Sequence, residues 1–210
     1  MGTRVVPTSD PESIPLALEM LRAGGLVAFP TDTVYGLGAL AYLEAGVAKL
    51  YAAKGRDPEK ALPILISDAE ELGRVGQGLT GSIWDLAEAF WPGPLTLVVP
   101  KRPALPDVVS VYDTVGVRVP DHPVARELLR AAGPMAVTSA NRSGGRNSRT
   151  PEKVLSDLCG RFDLLLDGGE TPGGQPSTVV DCSRPEFPIL RPGPISAEEI
   201  RTVIDRGRHL

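Results

Sequence analysis

Gly25-Leu-Val-Ala-Phe-Pro30, running straight into Thr31-Asp-Thr-Val-Tyr-Gly-Leu-Gly38, is the stretch of this 210-residue chain that decides its fold class. The first six residues form a short apolar run closed by proline, the pattern of a buried strand. From Pro30 to Gly38 the chain reads as a loop carrying two hydroxyls, a carboxylate and a phenol. In α/β proteins a strand end of this kind commonly opens onto a ligand crevice, although the same residues also make an ordinary Thr/Asp turn. Gly36 and Gly38 lack the third glycine and the helix start of a dinucleotide fingerprint.

The flanking segments are helical. Upstream, Ser9 or Asp10 caps a helix with Pro11 in its first turn, apolar Ile14, Leu16, Ala17 and Leu21, and a stop at Gly24. Downstream, Leu43, Val47, Leu50 and Tyr51 lie on one stripe of a helix from Leu43 to Lys54, which Gly55 ends. Further strands are expected at Pro63–Ser67, Leu95–Val99, Val115–Val119, Met135–Ser139, Phe162–Leu166, Thr178–Asp181 and Ile189–Arg191. Further helices are expected at Ser82–Phe90, Val124–Ala132, Pro151–Leu158 and Ala197–Arg206. Strands and helices intermix, but too irregularly for a doubly wound parallel fold. The expectation is a mixed α/β sheet with helices packed on it.

With 42% hydrophobic and 23% charged residues, the chain has the profile of one soluble globular domain. Its 23 glycines and 21 prolines fall between periodic segments and act as punctuation. No apolar run reaches the roughly 18 residues a bilayer span needs; the best, Gly24 to Leu43, is cut by Pro30 and Asp32. The amino terminus has no basic-then-apolar signal pattern, so a cytoplasmic location without membrane contact is expected. Cys159 and Cys182, with only His122 and His209 beside them, supply neither a disulfide framework nor a zinc site. A net charge of −4 argues against a wide basic surface for nucleic acid and leaves small anions as partners.

Several segments have the residues for binding such anions. Lys54-Gly55-Arg56 puts two cations at a helix end, with the Lys54 ammonium expected to project past it. They serve either the helix dipole or a polyphosphate clamp, which Lys60 would join. Arg118 interrupts an apolar strand and so must face solvent or an anion; Thr114 would begin the same strand. Thr138-Ser-Ala-Asn-Arg-Ser-Gly-Gly145 collects hydroxyls, an amide and glycines, and Arg142, Arg146 and Arg149 follow with no acid among them. Near the end, Gln175–Asp181 and Ile189–Gly193 again set a hydroxyl or a cation at a strand terminus. There is no Ser-His-Asp set or Cys-His pair, which favours catalysis by positioning and charge stabilisation over a covalent nucleophile.

Taken together these residues resemble the YrdC/TsaC-like L-threonylcarbamoyladenylate synthases. The match rests on Pro30–Gly38, Lys54 with Arg56, Trp91-Pro-Gly-Pro-Leu-Thr96, Val117-Arg-Val-Pro120, Ser139-Ala-Asn141 with Ser143-Gly144, Pro176-Ser-Thr178 and Leu190-Arg-Pro-Gly193. It covers nearly the whole chain in the right order. The resemblance implies an open, twisted α/β sheet with flanking helices around a concave cleft, as a single domain over 1–210 without an additional C-terminal domain. It implies a nucleotidyltransferase that joins ATP, with its Mg²⁺, bicarbonate or CO₂, and L-threonine into threonylcarbamoyl-AMP, releasing pyrophosphate. The product would go to a tRNA threonylcarbamoyl-transfer complex, with tRNA binding weak or indirect.

By the same resemblance Lys54 and Arg56 are catalytic and hold the triphosphate. Thr33, Arg118, Ser139 and Ser177 bind threonine, Arg118 through the carboxylate. Lys60, Thr114, Asn141, Arg149 and Arg191 contact ATP. No metal-ligand set is apparent; Asp32 is the only carboxylate nominated. Two positions depart from the family pattern, Leu65 where some members carry histidine and Arg149 where others often have threonine. Two other classes compete. A structured-RNA module is opposed by the net acidity. A carbamoyl-transfer module like that of hydrogenase-maturation proteins belongs to longer, cysteine-bearing chains.

Overall fold

The computed structural model describes residues 2–207. In chain order its elements are β1 (Arg4–Pro7), α1 (Ser13–Arg22), β2 (Val27–Phe29), β3 (Gly36–Leu40), α2 (Glu44–Lys54), β4 (Ile64–Leu65), a 3₁₀ turn (Ala69–Glu71) running into α3 (Leu72–Val75), α4 (Gly81–Phe90), β5 (Leu95–Pro100), β6 (Thr114–Arg118), α5 (Pro123–Ala132), β7 (Met135–Ser139), α6 (Pro151–Leu158), β8 (Leu164–Asp167), β9 (Thr178–Asp181), β10 (Ile189–Arg191) and α7 (Ala197–Gly207). The strands form one mixed sheet in the order β1-β8-β2-β3-β7-β4-β6-β5-β9-β10, parallel at β1/β8, β2/β8, β4/β6 and β5/β9 and antiparallel elsewhere.

Period-2 alternation explains the layering. Val27, Phe29, Leu65, Met135, Val137, Leu164 and Leu166 point to one face, where they pack with Ala17, Leu21, Ala125, Leu128 and Leu129 of α1 and α5. Their neighbours Ala28, Ile64, Ala136 and Leu165 point to the other, into a larger core with α2, α4, α6 and α7. Helices α1 and α5 cover the β8-β2-β3-β7 side of the first face. Arg118, Gly116, Thr96, Val98 and Val179 sit on the remaining strands of that face and line the cleft.

The structure adds a 3₁₀ turn and the short α3 over 69–75, which the sequence analysis does not predict, and departs from that analysis at three further places. Residues Gly36–Leu40 are a strand, not the end of a loop. A Cβ at Gly36 would stand 2.9 Å from Val137 Cγ1, and one at Gly38 2.8 Å from Met135 Cε, so glycine is what lets β3 lie between Phe29 and β7. Arg4–Pro7 pairs with β8 as an edge strand, too short and too exposed to show a pattern. Helix α1 starts at Ser13, because Asp10 is spent on a turn: its Oδ1 accepts the Glu12 N–H at 2.9 Å and its carbonyl the Ser13 N–H at 2.9 Å. Pro15, not Pro11, is the first-turn proline.

Candidate active site

The cleft has a volume of about 350 Å³, within the range of small-molecule sites. Its lining divides by chemistry. Leu62, Pro63, Leu65, Val98, Val137 and Val179 form an apolar part. Thr33, Ser139 and Ser177 supply hydroxyls, and Arg56, Arg118 and Arg191 supply three guanidiniums. Among the described residues the lining holds no carboxylate.

Arg118 lies at the centre and is 6% exposed. Of the two fates open to it, the structure shows the anion. Its Nη2 donates to Asp32 Oδ1 at 2.5 Å, Nη1 to Thr33 Oγ1 at 3.1 Å and Nε to the Gly93 carbonyl at 2.9 Å. Asp32, nominated for a metal, is therefore committed as counter-ion to this buried cation. Among the described residues no three His, Cys, Asp or Glu side chains come together. With Asp32 taken and the lining free of acids, these side chains do not fit a resident divalent ion.

The loop after β2 holds Thr33 in place through Thr31, whose Oγ1 lies 3.0 Å from Thr33 Oγ1 and donates to the Val34 carbonyl at 2.6 Å. Tyr35 ties down the rim. Its hydroxyl donates to the Gly169 carbonyl at 2.8 Å and accepts the Gly168 N–H at 3.1 Å, and burial pushes its pKa up to about 12. Ser177 Oγ lies 2.8 Å from Thr96 Oγ1 and accepts from Arg191 Nη2 at 3.0 Å; Arg191 also donates to the Ser177 carbonyl. Burial lowers the Arg191 pKa, and repulsion from Arg118 lowers it further. Two like charges converge there, and an anion between them would relieve both.

Gly55, left-handed at φ 61°, turns the chain out of α2 so that Arg56 reaches the cleft. The Arg56 Nε donates to the Lys60 carbonyl at 3.0 Å and Nη2 to the Ala61 carbonyl at 2.9 Å, fixing the guanidinium. Lys54 does not project past the helix end as expected. It is 5% exposed, its ammonium donates to the Ser139 and Asn141 carbonyls, and burial lowers its pKa to about 8. An ammonium buried on the packed stripe must be paired, and it takes the carbonyls the fold brings within reach.

The remaining candidates lie apart from the lining. Lys60 is exposed and contributes its carbonyl to Arg56. Thr114 shares the cleft face of β6 but stops short of the lining. Arg149 turns to the exposed rim, where it meets Glu170 at 3.1 Å and the Thr171 carbonyl at 3.2 Å, so that cluster does have an acid beside it. Asn141 is buried; its amide donates to the Arg142 and Gly145 carbonyls at 2.8 and 2.9 Å, and Oδ1 is left without a partner. Thr31 and Thr96, inside the quoted motif stretches, and Asn147, between Arg146 and Arg149, also line the cleft without being marked as site residues by the sequence. The apolar part of the lining is indistinguishable from core in the sequence.

An α/β sheet with half of one face open, and with hydroxyls and guanidiniums converging there, defines a binding fold for small anionic ligands. A profile of the Sua5/YciO/YrdC family, described as "Telomere recombination", matches residues 19–193. A Bacillus subtilis protein named threonylcarbamoyl-AMP synthase is 44% identical over 209 residues, covering 96% of this chain and 59% of that protein. A Pseudomonas fluorescens protein of the same name is 34% identical over 177 residues, covering 84% of this chain and 95% of that protein. The crystal structure of Pyrococcus abyssi Sua5 complexed with L-threonine superimposes with a TM-score of 0.88 at 42% identity, covering 91% of this chain and 57% of that one. The chain belongs to the Sua5/YciO/YrdC family. It spans about three fifths of the length of the Bacillus and Pyrococcus proteins.

Proposed function

We propose that the chain is an L-threonylcarbamoyladenylate synthase. On this reading it joins L-threonine, bicarbonate or CO₂ and ATP into threonylcarbamoyl-AMP with release of pyrophosphate, an intermediate for threonylcarbamoyladenosine in tRNA that is handed to a transfer complex. The observation that carries the reading is the convergence of Arg56, Arg118 and Arg191 on one cleft among the Thr33, Ser139 and Ser177 hydroxyls. The names of the relatives, one of them solved with L-threonine, support it.

The chemistry needs no protein nucleophile. The threonine amine adds to CO₂ and loses a proton to give a carbamate. A carbamate oxygen then attacks the α-phosphorus of ATP in line, and the bond to the β,γ-pyrophosphate breaks. What the protein must supply is orientation and positive charge. Arg118 has five N–H donors and spends three on Asp32, Thr33 and Gly93, leaving one on each terminal nitrogen for the threonine carboxylate. Ser177 and Thr33 flank that position. Arg56, and Arg191 opposite it, face the phosphates, whose charge grows on the leaving group, while the apolar part of the lining takes the base.

The test is pyrophosphate release from ATP with threonine and bicarbonate each omitted in turn. Release that requires both is the expected result. Release that ignores either one, or none with all three present, overturns the assignment.

A further inference from the structure

Among the described residues the buried cations are Arg118, which lines the cleft, and Lys54, which does not. Its ammonium donates to the backbone carbonyls of Ser139 and of Asn141, the latter at 2.7 Å, and its own carbonyl accepts the Ser143 N–H at 3.2 Å. The Asn141 amide extends the same network to the Arg142 and Gly145 carbonyls. The whole 139–145 loop thus hangs from the last residue of α2, and at its start Ser139 lines the cleft. For the ammonium to turn to a phosphate it would have to abandon two carbonyls. Leaving buried carbonyls unpaired forfeits their hydrogen bonds without water to replace them, which opposes that turn. Arg56, by contrast, already faces the cleft.

We propose that Lys54 is a positioning residue: it acts on the reaction by fixing the 139–145 loop, and with it Ser139, against α2, and leaves the phosphates to Arg56 and Arg191. The proposal rests on the synthase reading for the reaction it serves. It also explains why the site tolerates a lysine whose pKa is near 8. Burial, with Arg56 adding repulsion and Asp157 opposing it, favours loss of the proton. A neutral amine still has two N–H groups for the two carbonyls, so the tether outlasts the charge. A direct phosphate contact would not.

Two measurements decide between them. The first is calorimetric ATP affinity of the unaltered protein from pH 7.5 to 9.5. A Kd constant within about twofold is expected for a tether, whereas a fall in affinity approaching tenfold per pH unit above 8 means that the ammonium touches phosphate and overturns the proposal. The second is Lys54→Met, with amide exchange of 139–145 followed beside kinetics. The expected pattern is faster exchange in that loop, a kcat lowered at least about 50-fold and an ATP Kd within about threefold. Unchanged exchange with an ATP Kd raised tenfold or more overturns the proposal. Should the variant fail to fold, the pH series alone decides. ATP binding and exchange are read without turnover, so absence of threonine-dependent pyrophosphate release defeats the synthase reading and is distinguishable from failure of the tether.

Discussion

Arg118 shows how much one residue's surroundings constrain what it does. Its charge is buried against Asp32, so removing either partner strands the other in low dielectric. Arg118→Ala should therefore lose about 3 kcal/mol of stability, seen as a lower urea midpoint at unchanged slope. It should also raise the threonine KM at least tenfold more than the ATP KM; equal loss for both substrates would remove Arg118 from the carboxylate. Arg118→Lys should recover only part, since an ammonium cannot engage Asp32, Thr33 and Gly93 as a planar fork does. The two cysteines differ as sharply. Cys159 is exposed, whereas Cys182 is buried, with its pKa pushed up to about 12 by burial and by Asp181. Iodoacetamide at pH 8 should label Cys159 in the native protein and spare Cys182 until the protein is unfolded, as peptide mass mapping would show.

Among the elements, the segment that follows β10 packs on the one that leads into β9, and together they form one wall of the cleft. A Cβ at Gly193 would stand 2.3 Å from the Thr178 nitrogen, 2.6 Å from the Ser177 carbonyl carbon and 2.7 Å from the Pro176 oxygen. All three are backbone atoms and cannot swing aside. Gly193→Ala should cost about 3 kcal/mol, at the upper end for overpacking. Because Arg191 and Ser177 move together, it should weaken threonine and ATP binding alike in the fraction that remains folded.

On the opposite side, α5 is tied to the turn after β4 by Asp68, which accepts from Arg126 and Arg130. The hydrogen bond from Arg130, then those from Arg126 and Ser67, hold its pKa down at about 2. A folded pKa below the ordinary 3.8 means stabilisation that is complete above about pH 4 and fades as pH falls through 2. Asp68→Asn should flatten that part of the acid unfolding curve and leave stability at alkaline pH parallel to that of the parent. The carboxylate is partly solvent-exposed, so screening keeps the effect modest.

For the molecule as a whole, the open half-face of the sheet predicts linkage. On the proposed function the amino acid and the nucleotide share one cleft, so ATP and threonine together should raise the melting temperature by more than the sum of their separate shifts. Strict additivity would argue against a shared site. With a formal charge of −4, binding of tRNA to the isolated protein should be weak and steeply salt-dependent in a filter or fluorescence titration. Tight, salt-resistant tRNA binding without any ligand-induced thermal shift would favour an RNA-binding module instead. No helix among the described residues is long and apolar enough to cross a membrane.

Local pattern alone was enough for β2, α2, α6, β7 and β9. Each is bounded by residues whose own backbone preferences do the work, such as Pro30, Gly55 at φ 61°, and Thr150 capping Lys153 N–H ahead of Pro151. The same pattern marked Arg56, Arg118 and Arg191 and the hydroxyl-bearing stretches around Thr33, Ser139 and Ser177, which the family resemblance then singled out, because cations and hydroxyls that interrupt apolar segments are visible in one dimension. It could not show β3, whose glycines are explained only by Phe29, Met135 and Val137 packing across them. Nor could it show which way charge would turn. That Asp32 answers Arg118 across 86 positions, and that Lys54 bends back to carbonyls 85 and 87 residues away, is decided by burial in the assembled sheet, where an ionised group takes whatever partner the fold brings within reach.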